Sequence, residues 1–337
     1  MFKNKMRKKL FSRIIGVVFV LFVISHFVPI PYQVMEPGIA AELSPMIDVK
    51  DGYKNKGDFL LTAVSSRRAV AWDFVYITLF SPDDQELSSI SEQLPEDMDM
   101  NEYIDLMSKL MEESKLQAQA VAFRKTGHQV KVTGDGAEVV RVMKEGSAYN
   151  KLKKDDLIVE IDDEKVEMAA DAVNIIKDRE IGDMVKITVL REKERKTFKL
   201  KTVELEGNKD TPSIGVLISS KNLDYDIPGE VKFHTENIIG PSAGSVFTME
   251  IYNQLTPEDI TGGKKIAGTG TISLDGKIGR IDGVKYKIMT AKEKGVDLFI
   301  VPAENYEKAA EYAGDLKLLK VKNIDDIINY LKNELEV

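Results

Sequence analysis

The chain has 337 residues, with 47 Lys or Arg against 55 Asp or Glu and a formal net charge of -8. A net acidic chain is a poor candidate for binding nucleic acid. The sequence has no cysteine, which excludes disulfides, thiol catalysis and cysteine metal sites. Its length allows two ordinary domains after an N-terminal segment.

The N-terminal segment is basic and then apolar. Lys and Arg are frequent from Lys3 to Arg13, and residues 14–30 are mostly apolar. Such a run is typical of a signal peptide or a single membrane anchor, and the alternative is a buried helix of a soluble protein. Because no small-x-small cleavage site follows, we predict a retained transmembrane helix. The basic flank predicts a cytoplasmic N-terminus and an extracellular location for the bulk of the chain.

The next part of the chain predicts strands and then a helix. Residues 59–64 follow a Gly-Asp turn, and residues 70–80 alternate in a manner typical of a strand. The acidic segment 82–99 is expected to be a solvated loop or a short helix. Apolar residues at helical spacing predict a helix over residues 103–125.

Residues 129–205 predict a compact unit of alternating strands with one helix. The strands are expected at 138–143, 157–161, 185–190 and 197–202, and the helix at 169–177. Near the C-terminus, strands are expected at 298–302 and 317–321, and helices at 303–312 and 325–335. This alternation predicts a mixed α/β layer.

Ser242 is the candidate nucleophile. It follows Gly240 and Pro241, and the apolar residues after it predict a helix over about residues 242–254. A serine at this position lies at the positive end of the helix dipole, where free amides stabilise an oxyanion. The alternative is a glycine-rich turn that opens an ordinary core helix.

A lysine is the candidate base, because the three histidines lie in unpromising contexts and form no H-E-x-x-H zinc motif. Lys285 follows Gly283. Apolar residues then recur on one helical face: Val284, Ile288 and Ala291. Burial there favours a neutral amine that can act as a base. The alternative is a solvated surface lysine, as most lysines are.

Three segments together resemble the proteolytic domain of Lon-type serine proteases. They are residues 240–244, residues 268–272 and residues 276–285, which ends in Gly283-Val284-Lys285. The resemblance implies that Ser242 is the nucleophile and Lys285 its base. It also implies supporting roles for Thr269, Gly240 and Ala243. Earlier segments, at 57–62 and 111–118, resemble the strand and helix that precede the catalytic segment in that family.

The sequence departs from the family pattern at three positions. Thr271 replaces a glutamate, Asp282 replaces a glycine, and Ile239 stands where many full-length members have an aspartate. The Ser–Lys pair is retained. The departures affect the polar network expected around it.

The middle unit resembles a PDZ domain. The resemblance rests on Glu145-Gly146-Ser147-Ala148, on residues 152–158 and on residues 161–166. Such domains add a peptide as an extra strand at a sheet edge. The glycine loop at 134–137 then predicts a substrate-binding strand at Gly136, Ala137, Glu138 and Val139. The acidic residues Asp135 and Glu138 disfavour a terminal carboxylate there.

These observations predict an α+β fold, a Lon-type proteolytic domain with an inserted PDZ domain after one N-terminal transmembrane helix. The expected divisions are residues 1–31 for the tail and anchor, 32–125 and 207–337 for the protease, and 126–206 for the PDZ insert. The sequence contains no P-loop motif, so cleavage is expected to need no ATP. No cofactor and no metal are expected.

The expected function is that of an ATP-independent, membrane-anchored serine endopeptidase. Its partners are expected to be extracytoplasmic peptides or proteins and the membrane, and association with further copies of the chain is left open. Two alternatives are kept open. One is a catalytically inert surface protein that binds peptides through the PDZ groove. The other is a serine hydrolase that acts on small esters.

Overall fold

A computed structural model describes residues 2–90, 94, 98–205, 208–235 and 238–334. The side chains of residues 2–10, 12, 205, 208–210 and 334 are not described. The described helices are α1 Phe2–Ser25, α2 Ala71–Phe80, α3 Met100–Lys125, α4 Ala169–Lys177, α5 Gly244–Leu255, α6 Val284–Lys294, α7 Tyr306–Ala313 and α8 Ile324–Glu334. The helices predicted over 103–125 and 169–177 are confirmed as α3 and α4.

The described strands number from β1 to β20 in chain order. They are β1 Pro29–Glu42, β2 Ile47–Val49, β3 Asp58–Val70, β4 Glu86–Ser89, β5 Lys131–Thr133, β6 Gly136–Val142, β7 Leu157–Ile161, β8 Glu164–Lys165, β9 Met184–Arg191, β10 Glu194–Lys201, β11 Val203–Leu205, β12 Asn208–Ser213, β13 Val216–Lys221, β14 Asp224–Asp226, β15 Val231–Phe233, β16 Lys265–Gly268, β17 Thr271–Ile272, β18 Ile278–Gly279, β19 Leu298–Pro302 and β20 Leu318–Val321.

The first large sheet joins the two ends of the chain. Its order is β20-β19-β16-β3-β1-β4, with β16 parallel to both β3 and β19. The strands β1, β3 and β4 precede the middle unit and the other three follow it. One apolar core covers part of this sheet and includes the fully buried Phe59, Phe247 and Ile300. The segments on both sides of the middle unit therefore fold as one body.

The second large sheet belongs to the middle unit. Its order is β10-β9-β7-β6-β13, and its own apolar core includes Ile158, Ile187 and Leu200. β13 pairs antiparallel with β6, and Val216 and Ile218 pack against the same core. The expected boundary at residue 206 therefore cuts off a strand of this unit. Many of residues 203–213 are polar, and this pattern did not predict that a further strand of the sheet follows them.

The strand predicted over residues 70–80 is wrong, because residues 71–80 form the helix α2. Asp73 accepts a hydrogen bond from the amide of Val70 at 2.8 Å and two from the guanidinium of Arg67, both at 2.8 Å. The acidic group near the positive helix end stabilises the start of the helix. The aromatic side chains, typical of strands, instead contact one another one helical turn apart.

The N-terminal helix ends at Ser25, and Pro29 and Ile30 already belong to β1. The apolar segment predicted as one helix over residues 14–30 is thus divided between a helix and a strand. In the part of the chain that the structure describes, no helix has the length and apolar character needed to cross a membrane. The predicted anchor is not supported by the structure.

The acidic segment 82–99 contains the strand β4, which pairs with β1. Residues 91–93 and 95–97, within the same predicted loop or helix, lie outside the described residues.

Candidate active site

The loop before α5 is held against α3. The amide of Gly240 donates to the carbonyl of Met107 at 3.1 Å, and Ser114 Oγ donates to the carbonyl of Pro241 at 3.2 Å. Gly240 has a φ of 90°, which favours glycine. At Gly244 a Cβ atom would lie 2.6 Å from Ile272 Cγ2. Gly240 therefore permits the backbone turn, and Gly244 permits the close contact with Ile272.

Ser242 lies two residues before α5, which begins at Gly244 rather than near residue 242 as predicted. Its carbonyl accepts hydrogen bonds from the Gly270 amide at 2.8 Å and from Thr269 Oγ1 at 3.0 Å. These contacts fix the backbone from which the Ser242 hydroxyl projects. The segment after β16 thus positions the candidate nucleophile.

The basic partner of Ser242 is Lys287. Its Nζ atom donates to Ser242 Oγ at 2.8 Å and to Thr269 Oγ1 at 2.9 Å. Lys287 is 3% exposed, and its burial lowers the pKa of the amine to about 7, against the opposing charge of Asp282. A neutral amine is therefore well populated near neutral pH. It can accept the hydroxyl proton of Ser242.

The predicted pairing of Lys285 with Ser242 is wrong. Lys285 Nζ lies over the rings of Tyr286, at 5.3 Å from the centroid, and Tyr312, at 5.5 Å. Two residues on a helix differ in direction by about 200°, so Lys285 and Lys287 point to opposite faces of α6. The first lysine of the segment, Lys285, therefore lies on the outer face of α6, and the second, Lys287, lies on the inner face.

A sequence signal distinguished the two lysines. The buried face of α6 includes Val284, Ile288 and Ala291. Position 287 lies three residues after 284 and four before 291, within about 60° of both around the helix axis, whereas position 285 lies within that angle of Ile288 alone. A lysine in an apolar face is more informative than a lysine near a glycine.

The candidate oxyanion donors also differ from those expected at the helix start. The amides of Gly244 and Ser245 donate to the carbonyls of Pro241, at 3.3 Å, and Gly270, at 3.0 Å. Among the described residues, no acceptor is present for the amides of Ser242 and Ala243. Ala243 is also one of the residues for which the sequence predicted a supporting role. Both amides are therefore candidate donors to a substrate oxygen.

The predicted peptide-binding strand at Gly136, Ala137, Glu138 and Val139 lies in β6. This strand is hydrogen-bonded to β7 on one side and β13 on the other, and the carboxylate of Glu138 forms an ion pair with Lys221. A peptide therefore has no free strand edge there. In the described part of the second sheet, β13 is the edge strand next to β6. The prediction therefore falls on an interior strand of the sheet.

The geometry of the site defines a class of chemistry. A hydroxyl in contact with a buried amine of lowered pKa, beside free backbone amides, is suited to nucleophilic attack on a carbonyl. The class is that of serine hydrolases with a lysine as the base.

Comparison with known families agrees with this class. Residues 236–334 match the family model of the Lon protease (S16) C-terminal proteolytic domain, and residues 125–202 match that of the PDZ domain. The chain therefore contains a Lon-type proteolytic domain and a PDZ domain. These matches support a serine peptidase.

Similar proteins include the Lon protease of Campylobacter concisus, 36% identical over 28% of this chain and 12% of that protein. Lon protease 2 of Bacillus subtilis is 33% identical over 32% of this chain and 19% of that protein. The chain thus spans less than a fifth of the length of these two relatives. A crystal structure of the PDZ domain of an SdrC-like protein from Listeria monocytogenes is 31% identical, covers 26% of this chain and 92% of its own, and has a TM-score of 0.25.

Proposed function

We propose that the protein is an endopeptidase that cleaves peptides or proteins through an acyl-enzyme and needs no ATP. The observation that carries this proposal is the 2.8 Å contact between Ser242 Oγ and the buried amine of Lys287. Cleavage without ATP is proposed because the printed sequence has no P-loop motif.

In the first half of the reaction, neutral Lys287 accepts the proton of the Ser242 hydroxyl as Oγ attacks the peptide carbonyl. The amides of Ser242 and Ala243 stabilise the resulting oxyanion. The ammonium of Lys287 then gives its proton to the leaving amine, and the C–N bond breaks. The product is an ester of Ser242 and a free amino terminus.

In the second half, Lys287 takes a proton from water, which attacks the ester carbonyl. Collapse of this intermediate breaks the bond to Oγ, and Lys287 returns the proton to Ser242. Thr269 acts as a positioning residue, because its hydroxyl contacts both Lys287 Nζ and the carbonyl of Ser242. In the neutral form of the amine, Nζ keeps its contact with Thr269 and turns its lone pair toward Ser242, whose hydroxyl then donates to it.

The experiment is digestion of casein without ATP, followed by mass spectrometry of the products. Wild type is expected to produce internal cleavages, and Ser242→Ala to produce none. Ser66→Ala, at an exposed serine of β3, serves as the matched control and is expected to cleave normally. Cleavage that survives Ser242→Ala contradicts the proposal, and so does an inactive wild type that only binds the peptide.

For the location, we propose attachment to the membrane with the two domains on its extracytoplasmic side. The support is the basic segment followed by apolar side chains, of which Ile14 to Ile24 include many that are exposed. Carbonate extraction of cell membranes should leave the full chain in the pellet and release a chain that starts at Tyr32. Recovery of the full chain in the supernatant contradicts this proposal.

A further inference from the structure

The helix α2 exposes large apolar side chains along most of its length. Its only charged residue, Asp73, is buried against the guanidinium of Arg67. A contiguous apolar surface marks a site of contact with a protein or a membrane, because removal of such a surface from water is favourable. The exposed apolar side chains of α2 are Phe74, Val75, Tyr76, Leu79 and Phe80.

The exposed side chains share one broad face of α2. The helix packs against β1, β3 and β4, with Asp73 buried and Ile77 half-buried on that side. Val75 and Leu79 each lie two residues after one of these, which is a rotation of about 200° around the helix axis. They therefore point away from the sheet. This outward face of α2 consists of Phe74, Val75, Thr78 and Leu79, all of which are exposed.

The apolar surface of α2 adjoins that of α1. The rings of Phe22 and Trp72 have centroids 4.7 Å apart, and the amide of Ala71 donates to the carbonyl of Val28 at 2.9 Å. Phe27, in the turn that follows α1, is 79% exposed. Exposed apolar side chains thus extend from α1 through this turn to α2. The membrane attachment proposed above, on which the present inference rests, places the start of α2 beside the bilayer.

The aromatic side chains of α2 favour lipid as the partner. Trp72, Tyr76 and Phe80 follow one another at one-turn intervals, with ring centroids 6.3 Å and 5.4 Å apart. Trp and Tyr are enriched at membrane–water interfaces, because their rings are apolar and carry a polar group at one end. Trp72 is the only tryptophan of the chain, and it lies at the junction with α1.

The length and the flanking charges of α2 determine how it can meet a bilayer. Its 10 residues span about 15 Å, against about 30 Å for the hydrocarbon core. Arg67 and Asp73 form an ion pair near its start, and Asp83 and Asp84 follow its end. Because charges are costly in hydrocarbon, both ends of the helix must stay at the level of the headgroups. The helix axis is then parallel to the membrane surface, as in interfacial helices.

We propose that the outward face of α2 inserts into the surface of a phospholipid bilayer and forms a second membrane contact beside α1. The upper parts of the acyl chains contact Val75 and Leu79, and the headgroups surround the charged ends of the helix. The ion pair of Arg67 and Asp73 joins α2 to β3. The membrane contact therefore holds the protease unit in one orientation on the bilayer.

The test uses fluorescent labels on single cysteines, since the chain has no cysteine of its own. Val75→Cys and Leu79→Cys carry nitrobenzoxadiazole on the outward face, and Ile181→Cys, 46% exposed on the PDZ surface, is the matched control. Each labelled full chain is reconstituted into vesicles of phosphatidylcholine and phosphatidylglycerol and purified by flotation. Quenching is measured with iodide in the water and with lipids that carry a nitroxide near the headgroup or near the end of the acyl chain.

The labels at Val75 and Leu79 are expected to lose about half of their fluorescence to the shallow nitroxide and less to the deep one. The two labels should respond equally, because a helix parallel to the surface keeps both at one depth. The label at Ile181 is expected to be quenched by iodide alone. Iodide should quench it several-fold more than the other two labels, which lipid shields.

Iodide quenching at Val75 and Leu79 as strong as at Ile181 overturns the inference, and flotation of the same protein leaves the proposed membrane attachment standing. A full chain that does not float with the vesicles overturns both. Protection from iodide without quenching by either nitroxide overturns the inference in favour of a second copy of the chain over α2. Quenching of the Ile181 label by the shallow nitroxide also overturns it, because the contact would then not belong to α2.

Discussion

The two faces of α6 carry lysines two residues apart in very different surroundings. Lys287 is 3% exposed and contacts two hydroxyl oxygens, whereas Lys285 is half-buried and lies over tyrosine rings. Burial lowers the pKa of Lys287 to about 7 because water is replaced by groups that solvate the ammonium less well. On the outer face, the amine of Lys285 instead lies against two tyrosine rings. The surroundings of Lys287, rather than its being a lysine, therefore make it a base.

Substitution of the two lysines gives the largest expected difference. Lys287→Met keeps the length and apolar volume of the side chain but removes the base, so kcat/KM for peptide cleavage should fall by about 10²- to 10⁴-fold. Lys285→Met should stay within about a factor of two of wild type, because it changes a surface contact. Initial rates on one fluorogenic peptide measure both.

The same pair provides its own check on folding. Circular dichroism of both variants should match wild type, since neither methionine is too large for its site. A severe loss of activity in a folded Lys285→Met protein, with Lys287→Met still active, would reverse the assignment of the base.

The pH dependence sharpens the comparison further. Because the folded pKa of Lys287 is about 7, the neutral amine increases as pH rises through that value. The rate constant kcat/KM should therefore be about 100-fold lower at a pH two units below the pKa than on the plateau above it. Initial rates at substrate concentrations well below KM measure this profile. A lysine in water would place the rise near pH 10, and a rise there contradicts burial of the base.

Substitution of Thr269 tests whether its hydroxyl orients the amine of Lys287. Thr269→Val removes the hydroxyl that accepts from Lys287 Nζ and donates to the Ser242 carbonyl. We expect kcat to fall about 10- to 100-fold, because both hydrogen bonds of the hydroxyl are lost, with little change in KM. Steady-state kinetics separate the two constants.

Thr269→Ser keeps the hydroxyl and should recover most of the lost rate. If the serine variant is as slow as the valine variant, the methyl group matters and the hydroxyl does not. A purely structural role would also leave the pH profile of Thr269→Val unchanged, whereas a positioning role is expected to shift its midpoint.

The sequence was sufficient for the features that depend on local spacing. It predicted α3 and α4, the strand at 298–302 and the serine loop before α5. The free edge of β13 was not predictable in this way, because strand order depends on pairing between β6 and residues about 80 positions later. Nor could spacing alone show that α2 is a helix, since its start depends on the Arg67–Asp73 contact.

Substitution of Glu250 in α5 has the smallest expected effect. Like Lys287, Glu250 is a buried titratable group, but it takes no part in the described hydrogen bonds of Ser242 and Lys287. It is 2% exposed, accepts a hydrogen bond from Gln254 Nε2 at 2.6 Å, and has its pKa raised to about 7 by burial. The folded state therefore binds a proton more tightly than the unfolded state. Its contribution to stability is fully present below the unfolded pKa of 4.5 and is lost as pH rises through about 7.

Glu250→Gln stays neutral at every pH, so it should remove this part of the pH dependence. We expect the free energy of unfolding at pH 8, relative to that at pH 5, to be about 2–3 kcal/mol higher in the variant than in wild type. Urea denaturation at the two pH values measures the difference, and Glu258→Gln, at an exposed glutamate, is the matched control. An identical pH dependence in wild type and Glu250→Gln would mean that the carboxyl group is ionised in the folded protein. Burial would then shift a pKa at Lys287, where it lowers it, but not at Glu250.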